Sequence, residues 1–328
     1  MTVETLTNPI LNGPYDPPER YFEIGPKGPT GQILEGRRPS ESFIPIAATK
    51  KRGRPAKGEQ VALQEELDFG ITGERRDKNS LINELRREVE LWRARRYPHV
   101  TPITRTLLLH WSDPERENRV LYGQREAVET AIYLAEAAGR DGYGGGDRDW
   151  RKRLDIANAE HNADLPRIAL KMATGSGKTV VMAMLITWQT LNKVNSPNDK
   201  RFAKRFLVVT PGITIRDRLR VLQPGEPGNY YDQRDLVPAQ YQRALREAQI
   251  VITNYHAFLR RYAKEIQGVS KTTRQLLLGN PPESDDPFRE TPDAVVSRVL
   301  RGFNLPTGKN RSASSQIVLR STSRSTGT

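Results

Sequence analysis

The sequence contains no cysteine. That absence excludes a disulfide framework, a thiolate-ligated zinc finger and a cysteine nucleophile together. No run approaches the ~20 apolar residues of a membrane span. The N-terminus, MTVETLTNPILNGPYDPPERYFE, lacks the basic-then-apolar pattern of a secretion signal. Apolar residues make up 36% of the chain and aromatics 7%, too little for 328 residues packed throughout. Part of it is therefore expected to be linker or disordered tail. Acids are short as well: 39 Asp+Glu stand against 52 Lys+Arg, a net charge of +13. The expectation is a soluble, cytoplasmic chain with a basic surface and a polyanionic partner. Nucleic acid ranks ahead of membrane, because no amphipathic basic helix dominates.

What is present falls into segments. Residues 1–79 read as an irregular leader, since Pro9, Pro14, Pro17, Pro18, Pro26, Pro29, Pro39, Pro45 and Pro55 interrupt it too often for long regular elements. A helical lead-in is expected over 80–118. It starts near Ser80, with Leu81, Leu85, Val89 and Trp92 on one face and Asn or Ser available as a cap. From 119 to 300 the pattern is that of an α/β domain. A helix from Arg119 to about Ala138 places Leu121, Gln124, Val128, Ala131, Ile132 and Ala135 on one face, with Arg125, Glu126 and Glu129 turned away. Arg167 to Met172 is a strand candidate, Lys178 to about Leu191 an apolar helix, and Phe206–Thr210 and Gln249–Thr253 are β-branched strands suited to a parallel sheet. Residues 301–328 are rich in Ser, Thr and Arg without an acid, and only QIVL, 316–319, has strand character. Disorder is expected there.

The strongest signal is KMATGSGKT, 171–179. Gly175 and Gly177 flank Ser176, Lys178 follows, and Thr179 opens a helix, so backbone amides can curve round a phosphate at a positive helix end. Thr174, Gly175, Ser176, Gly177, Lys178 and Thr179 are the candidate nucleotide ligands. Lys178 faces the β- and γ-phosphates of ATP, and the Thr179 hydroxyl faces Mg²⁺. Met172 stands where the general pattern has its first glycine.

ATGSGKT resembles motif I of superfamily 2 helicases of the DEAD/DEAH type. LLLHWSDPER (107–116), GQREAVETAIYL (123–134), LVVTPGITIRDRL (207–219) and IVITNYHAF (250–258) resemble the restriction/ATPase (Res) subunit of type III restriction enzymes. The leader segments NGPYDPPERYFE and RRPSESFIPI are similar to that family too. The resemblance implies an α/β fold, a RecA-like P-loop parallel sheet flanked by helices, incomplete here, with an irregular leader and a disordered tail. It implies ATP-dependent translocation on double-stranded DNA within a restriction–modification system, and a DNA methyltransferase (modification) subunit as partner. By position Gln124 matches the glutamine that reads adenine; the plain alternative is a polar residue of an amphipathic helix. Thr210 and Pro211 match the motif that touches single-strand phosphates, or else Thr210 caps a Pro-Gly turn. Asn254 and Tyr255 match the next nucleic-acid-contacting motif, and His256 beside them reads as a structural histidine rather than a catalyst.

Such an ATPase also needs an acidic box on a later strand, one carboxylate for Mg²⁺ and another for the attacking water. No DExH-like tetrad occurs; Asp285 and Asp286 sit in the proline-flanked PPESDDPF, and the box falls due near QIVL, where RSTSRSTGT follows instead. The chain is accordingly expected to be an N-terminal fragment without turnover of its own and without catalytic residues. The alternative function is a non-hydrolysing DNA-binding module. A different P-loop class, such as a kinase, is disfavoured by the 207–219 and 250–258 segments.

KKRGRPAK, 50–57, resembles an AT-hook core. Arg52 and Arg54 about Gly53 could lie along a narrow A·T minor groove, with Pro55 fixing the exit. A solvated basic linker is the competing reading.

Overall fold

A computed structural model describes residues 9–25, 28–47, 71–140, 149–161, 167–260, 290–303 and 317–320. The chain divides into two compact units, Met1–Pro98 and His99–Thr328.

In the first unit, β1 (Arg20–Gly25) pairs antiparallel with β2 (Gly28–Glu35), and β3 (Glu41–Ala47) with β4 (Ile71–Lys78). This corrects the expectation of a leader without regular elements longer than a few residues. Pro29 and Pro45 lie within β2 and β3, and a two-stranded ladder consists only of edge strands, where a missing N–H can face outward. Asn12 closes the proline-rich turn before β1: its Oδ1 accepts from the amides of Glu19 (2.9 Å) and Arg20 (3.1 Å). Helix α1 (Ser80–Ala94) buries Val89 and Trp92 from the expected stripe. The Trp92 indole donates to the Pro98 carbonyl at 2.9 Å and meets the Tyr97 ring edge-on at 4.9 Å. Asn79 precedes α1 but makes no side-chain cap. Its amide is spent on Ser40 and Ser42 instead, at 3.0 and 3.1 Å, joining the start of the helix to the start of β3.

The second unit opens with α2 (Pro102–Ser112), capped by the Thr101 hydroxyl accepting from the Thr104 amide. Then come α3 (Tyr122–Ile132), which runs on as a π-helical turn Tyr133–Ala137, and α4 (Trp150–His161). The central element is α5 (Lys178–Asn195), buried from Val180 to Asn192 on nearly every side. The expected apolar face of α3 holds, with Gln124, Val128, Ala131 and Ile132 buried. Glu129, expected to face solvent, is buried too, and its charge is met by Arg125 one turn earlier at 3.6 Å.

The sheet is parallel, with β5 (Arg205–Thr210) between β6 (Gln249–Asn254) and β7 (Ile317–Arg320). Period-2 alternation along β5 sends Leu207 and Val209 toward Val295, Val299 and Phe303 of α9 (Pro292–Val299) and the turn after it. Phe206 and Val208, pointing the other way, are buried as well. Two expectations are corrected here. Residues 167–173 form no strand and leave Ile168 exposed; a strand needs ladder partners, and none among the described residues pairs with them. The complete phosphate-loop sheet is therefore not formed among those residues. Conversely, the tail expected to be disordered supplies Phe303, 3% exposed, and β7. The apolar run Ile317–Leu319 takes the free side of β5, Phe206 opposite Ile317 and Val209 opposite Arg320.

Between β5 and β6 lie α6 (Ile213–Arg218) with a 3₁₀ turn to Leu222, then the short helices α7 (Tyr230–Gln233) and α8 (Gln242–Leu245). No helix among the described residues is long and apolar enough to cross a membrane.

Candidate nucleotide and nucleic-acid site

The phosphate loop, 173–177, runs into the first turn of α5 at the exposed edge of the core. Gly175 and Gly177 both lie in the left-handed region, φ 81° and 80°, which is strained for any residue with a Cβ. Gly177 is the N-cap and offers no side-chain acceptor to the helix amides, leaving that positive end open to an anion. The loop is folded on the Ala173 carbonyl, which accepts from the Ser176 hydroxyl and the Lys178 ammonium, each at 2.7 Å. Lys178 thus starts the helix with its charge turned back over the loop, and Thr179 follows it, half-buried on the same turn. Thr174 and Gly175 are exposed at the tip.

Gln124 comes to this loop from α3. Its Oε1 accepts from the Leu121 amide at 3.2 Å, closing the first turn of its own helix. Its Nε2 donates to the Ser176 carbonyl at 3.0 Å. The side chain is buried, 6% exposed. Sequence position suggests an adenine reader or an ordinary polar residue of an amphipathic helix; the contact with Ser176 is new. Its signal was the spacing of Gln124 from Leu121, the third residue of a helix reaching back to the cap.

The carboxyl ends of β5 and β6 lie side by side, Thr210 opposite Asn254, at the edge of a parallel sheet where ligand crevices form. Thr210 is 1% exposed and its hydroxyl donates to the carbonyls of Gly212 (2.9 Å) and Thr253 (3.3 Å). It shapes the Pro211–Gly212 turn from inside, and Pro211 is exposed on it. Asn254 caps the 3₁₀ turn Tyr255–Phe258 by accepting from the Ala257 amide at 3.1 Å. Tyr255 is outward, 51% exposed, with the His256 ring against it at 3.8 Å. Arg298 steadies this turn by donating to the Ala257 and Leu259 carbonyls at 2.8 and 3.2 Å. Its guanidinium is raised above its ordinary pKa by the hydrogen bonds to Glu290.

LLLHWSDPER acts as a clamp. His110 Nε2 lies 2.7 Å from the Asp235 carbonyl, the Trp111 indole donates to the Leu236 carbonyl at 2.9 Å, and Arg116 donates to the carbonyls of Arg234 (2.9 Å) and Asp235. Asp235 is held at φ 46°. Burial depresses the Arg116 pKa, with Asp235 opposing that shift. A cavity of about 540 Å³ lies beside β6, lined by Arg216, Asp217, Arg220, Gln223, Gly225, Glu226 and Ile252 and by no phosphate-loop residue. Its charges are paired among themselves, Arg216 with Asp217 and Arg220 with Glu226, both at 3.0 Å. Arg52, Arg54, Asp285 and Asp286 lie outside the described residues. Among the described residues no group of His, Asp and Glu is arranged to hold a metal ion.

Residues 119–279, which hold Gln124, the phosphate loop, Thr210 and Tyr255, match the family model described as Type III restriction enzyme, res subunit. No curated protein and no solved structure matches the chain. Over residues 119–279 the chain is thus similar to the res subunit of type III restriction enzymes, the family its motifs resemble.

Proposed function

We propose that this chain is the ATP- and DNA-binding portion of a type III-like restriction enzyme subunit whose motor translocates on double-stranded DNA. The observation that carries the reading is the N-terminus of α5, where two left-handed glycines turn the chain so that Lys178 and Thr179 open a helix with no side-chain cap. The donor set fits a triphosphate: Lys178 can leave the Ala173 carbonyl for the β- and γ-phosphates, while the amides from Gly175 to Thr179 line the anion. Thr179 offers one oxygen to Mg²⁺, whose role in such a site is to neutralise charge developing on the phosphates. On the DNA side, Pro211 and Tyr255 present the surface that Thr210 and Asn254 brace from within. The cytoplasm, where DNA and a methyltransferase subunit are met, is the compartment this reading requires.

Turnover is not expected of the chain itself. β7, next to β5, is the strand after which the acidic box is expected. The residues after it in sequence are Ser321, Thr322 and Ser323, which cannot fix the metal or activate water as carboxylates do. That observation favours, for the isolated chain, the second reading of a DNA-binding module that holds ATP without hydrolysing it. A steady-state phosphate-release assay with and without duplex DNA separates the two. Release at the level of the Lys178→Ala variant supports the non-hydrolysing module, whereas DNA-stimulated release abolished by that substitution establishes a complete motor.

A further inference from the structure

We propose that the amino edge of the parallel sheet is a second surface for double-stranded DNA, held to its phosphates through Arg243 and Arg246. The inference deepens the DNA-binding part of the reading above and rests on it. β5 and β6 begin in register, Arg205 opposite Gln249, and the Gln249 amide donates to the Lys204 carbonyl at 2.8 Å. The approach to β5, 199–205, and α8 with the turn after it, 242–249, therefore meet at one edge. Together these residues carry six basic side chains against two acids. Pro211 and Tyr255 follow the carboxyl ends of the same strands, about 17 Å away along β5.

Three of the six cations are engaged within the edge. Arg201 donates to the Asp199 carboxylate from two nitrogens, Lys204 meets Glu247 at 2.8 Å, and Arg205 Nε donates to the Gln249 side chain at 3.2 Å. Arg243 and Arg246 are exposed and have no side-chain partner among the described residues. Three residues apart, they are neighbours on the surface of the turn, where like charges repel. An anion spanning both relieves that repulsion. The kind of partner follows from what the edge lacks. Among the described residues no large apolar or aromatic side chain is exposed there. A protein partner needs an apolar centre to its interface, and a single strand needs rings on which to stack. Duplex DNA needs neither, because cations hold its backbone by charge.

The test is fluorescence anisotropy of a labelled duplex oligonucleotide of mixed sequence over a series of salt concentrations. It compares the intact chain with two double variants, Arg243→Gln with Arg246→Gln and Arg243→Lys with Arg246→Lys. The rest of the chain, 50–57 included, is common to all three and cancels. Losing two phosphate contacts is expected to weaken duplex binding by roughly tenfold or more near 0.1 M salt, and to reduce the slope of log affinity against log salt by about 2. The lysine variant keeps both charges and is expected to keep the slope. Unchanged affinity and slope in the glutamine variant overturn the proposal and leave the DNA-binding reading standing. Weaker binding with an unchanged slope marks a structural effect and overturns it too, as does a lysine variant that loses as much slope as the glutamine one. An intact chain that binds no duplex overturns the DNA-binding reading itself, and the proposal with it.

Discussion

The ammonium of Lys178 and the carbonyl of Ala173 lie 2.7 Å apart, across a loop of which Lys178 is also the first helical residue. A lysine parked on its own loop can serve a phosphate only by exchanging that carbonyl for phosphate oxygens, since both draw on the same N–H donors. Lys178→Ala should leave the thermal midpoint nearly unchanged, because the side chain is only half-buried, while lowering triphosphate affinity at least tenfold. Calorimetric titration against the parent protein measures both.

The carboxylate of Glu136 should carry much of the packing between α2, the π-helical turn and α5. It accepts from the Thr101 amide at 2.9 Å and from the Thr104 hydroxyl and Trp188 indole at 2.7 Å, and it is 1% exposed. Glu136→Ala strands three donors at once, two of them buried, and a loss of roughly 3 kcal/mol or more is expected. Denaturant unfolding of the two proteins provides the comparison; a difference below about 1 kcal/mol contradicts the network's role.

Asp199 organises the approach to β5. Its carboxylate accepts from Arg201 Nε and Nη2, the latter at 2.7 Å. These hydrogen bonds hold it below its ordinary pKa against a smaller opposing effect of burial. A depressed carboxylate stabilises the fold above its unfolded pKa, about 3.9, and loses that contribution as pH falls through the folded value. The midpoint difference between the parent and Asp199→Asn should be constant near neutrality and shrink below about pH 4. A difference that persists unchanged into acid would tell against the ion pair.

Tyr255 should matter to DNA and not to ATP. Half exposed on a turn braced by Asn254 and Arg298, it offers a ring on which an unpaired base can stack, an interaction of about 1–3 kcal/mol. Tyr255→Ala should weaken single-stranded DNA binding roughly five- to a hundredfold and leave Mg²⁺–ATP affinity untouched. Fluorescence anisotropy with a labelled oligonucleotide reads the first, and competition with unlabelled ATP the second.

The segment 50–57 can be tested apart from the fold. If Arg52 and Arg54 enter a narrow minor groove, a peptide spanning 50–57 should prefer A·T over G·C duplexes. Equal affinities that fall together with added salt identify a basic linker bound through phosphates alone.

Legibility followed from how local each signal was. Gly175, Gly177 and Lys178 announce the loop because their spacing is itself the geometry, and β5 and β6 are readable because neighbouring parallel strands are β-branched and apolar along their length. The hairpins of the leader were missed because proline was read as a breaker, a rule that relaxes where every strand is an edge. Residues 167–172 failed in the opposite sense: the propensity is present, but a strand exists only with a neighbour to bond. Glu129 and Gln124 share a cause, since sequence shows which face a polar residue occupies but not that Arg125 or the Ser176 carbonyl will meet it there. Asn79 could be recognised as a capping residue type, yet competition from Ser40 and Ser42, distant in sequence, decided its use.

The central claim is that residues 173–179 bind a nucleoside triphosphate through Lys178 and the first turn of α5. Isothermal titration of Mg²⁺–ATP into the intact chain and into Lys178→Ala tests it most directly. The account predicts saturable one-to-one binding to the parent protein, lost or weakened at least tenfold in the variant. Absence of binding to a folded parent protein, or equal binding to both, would contradict it.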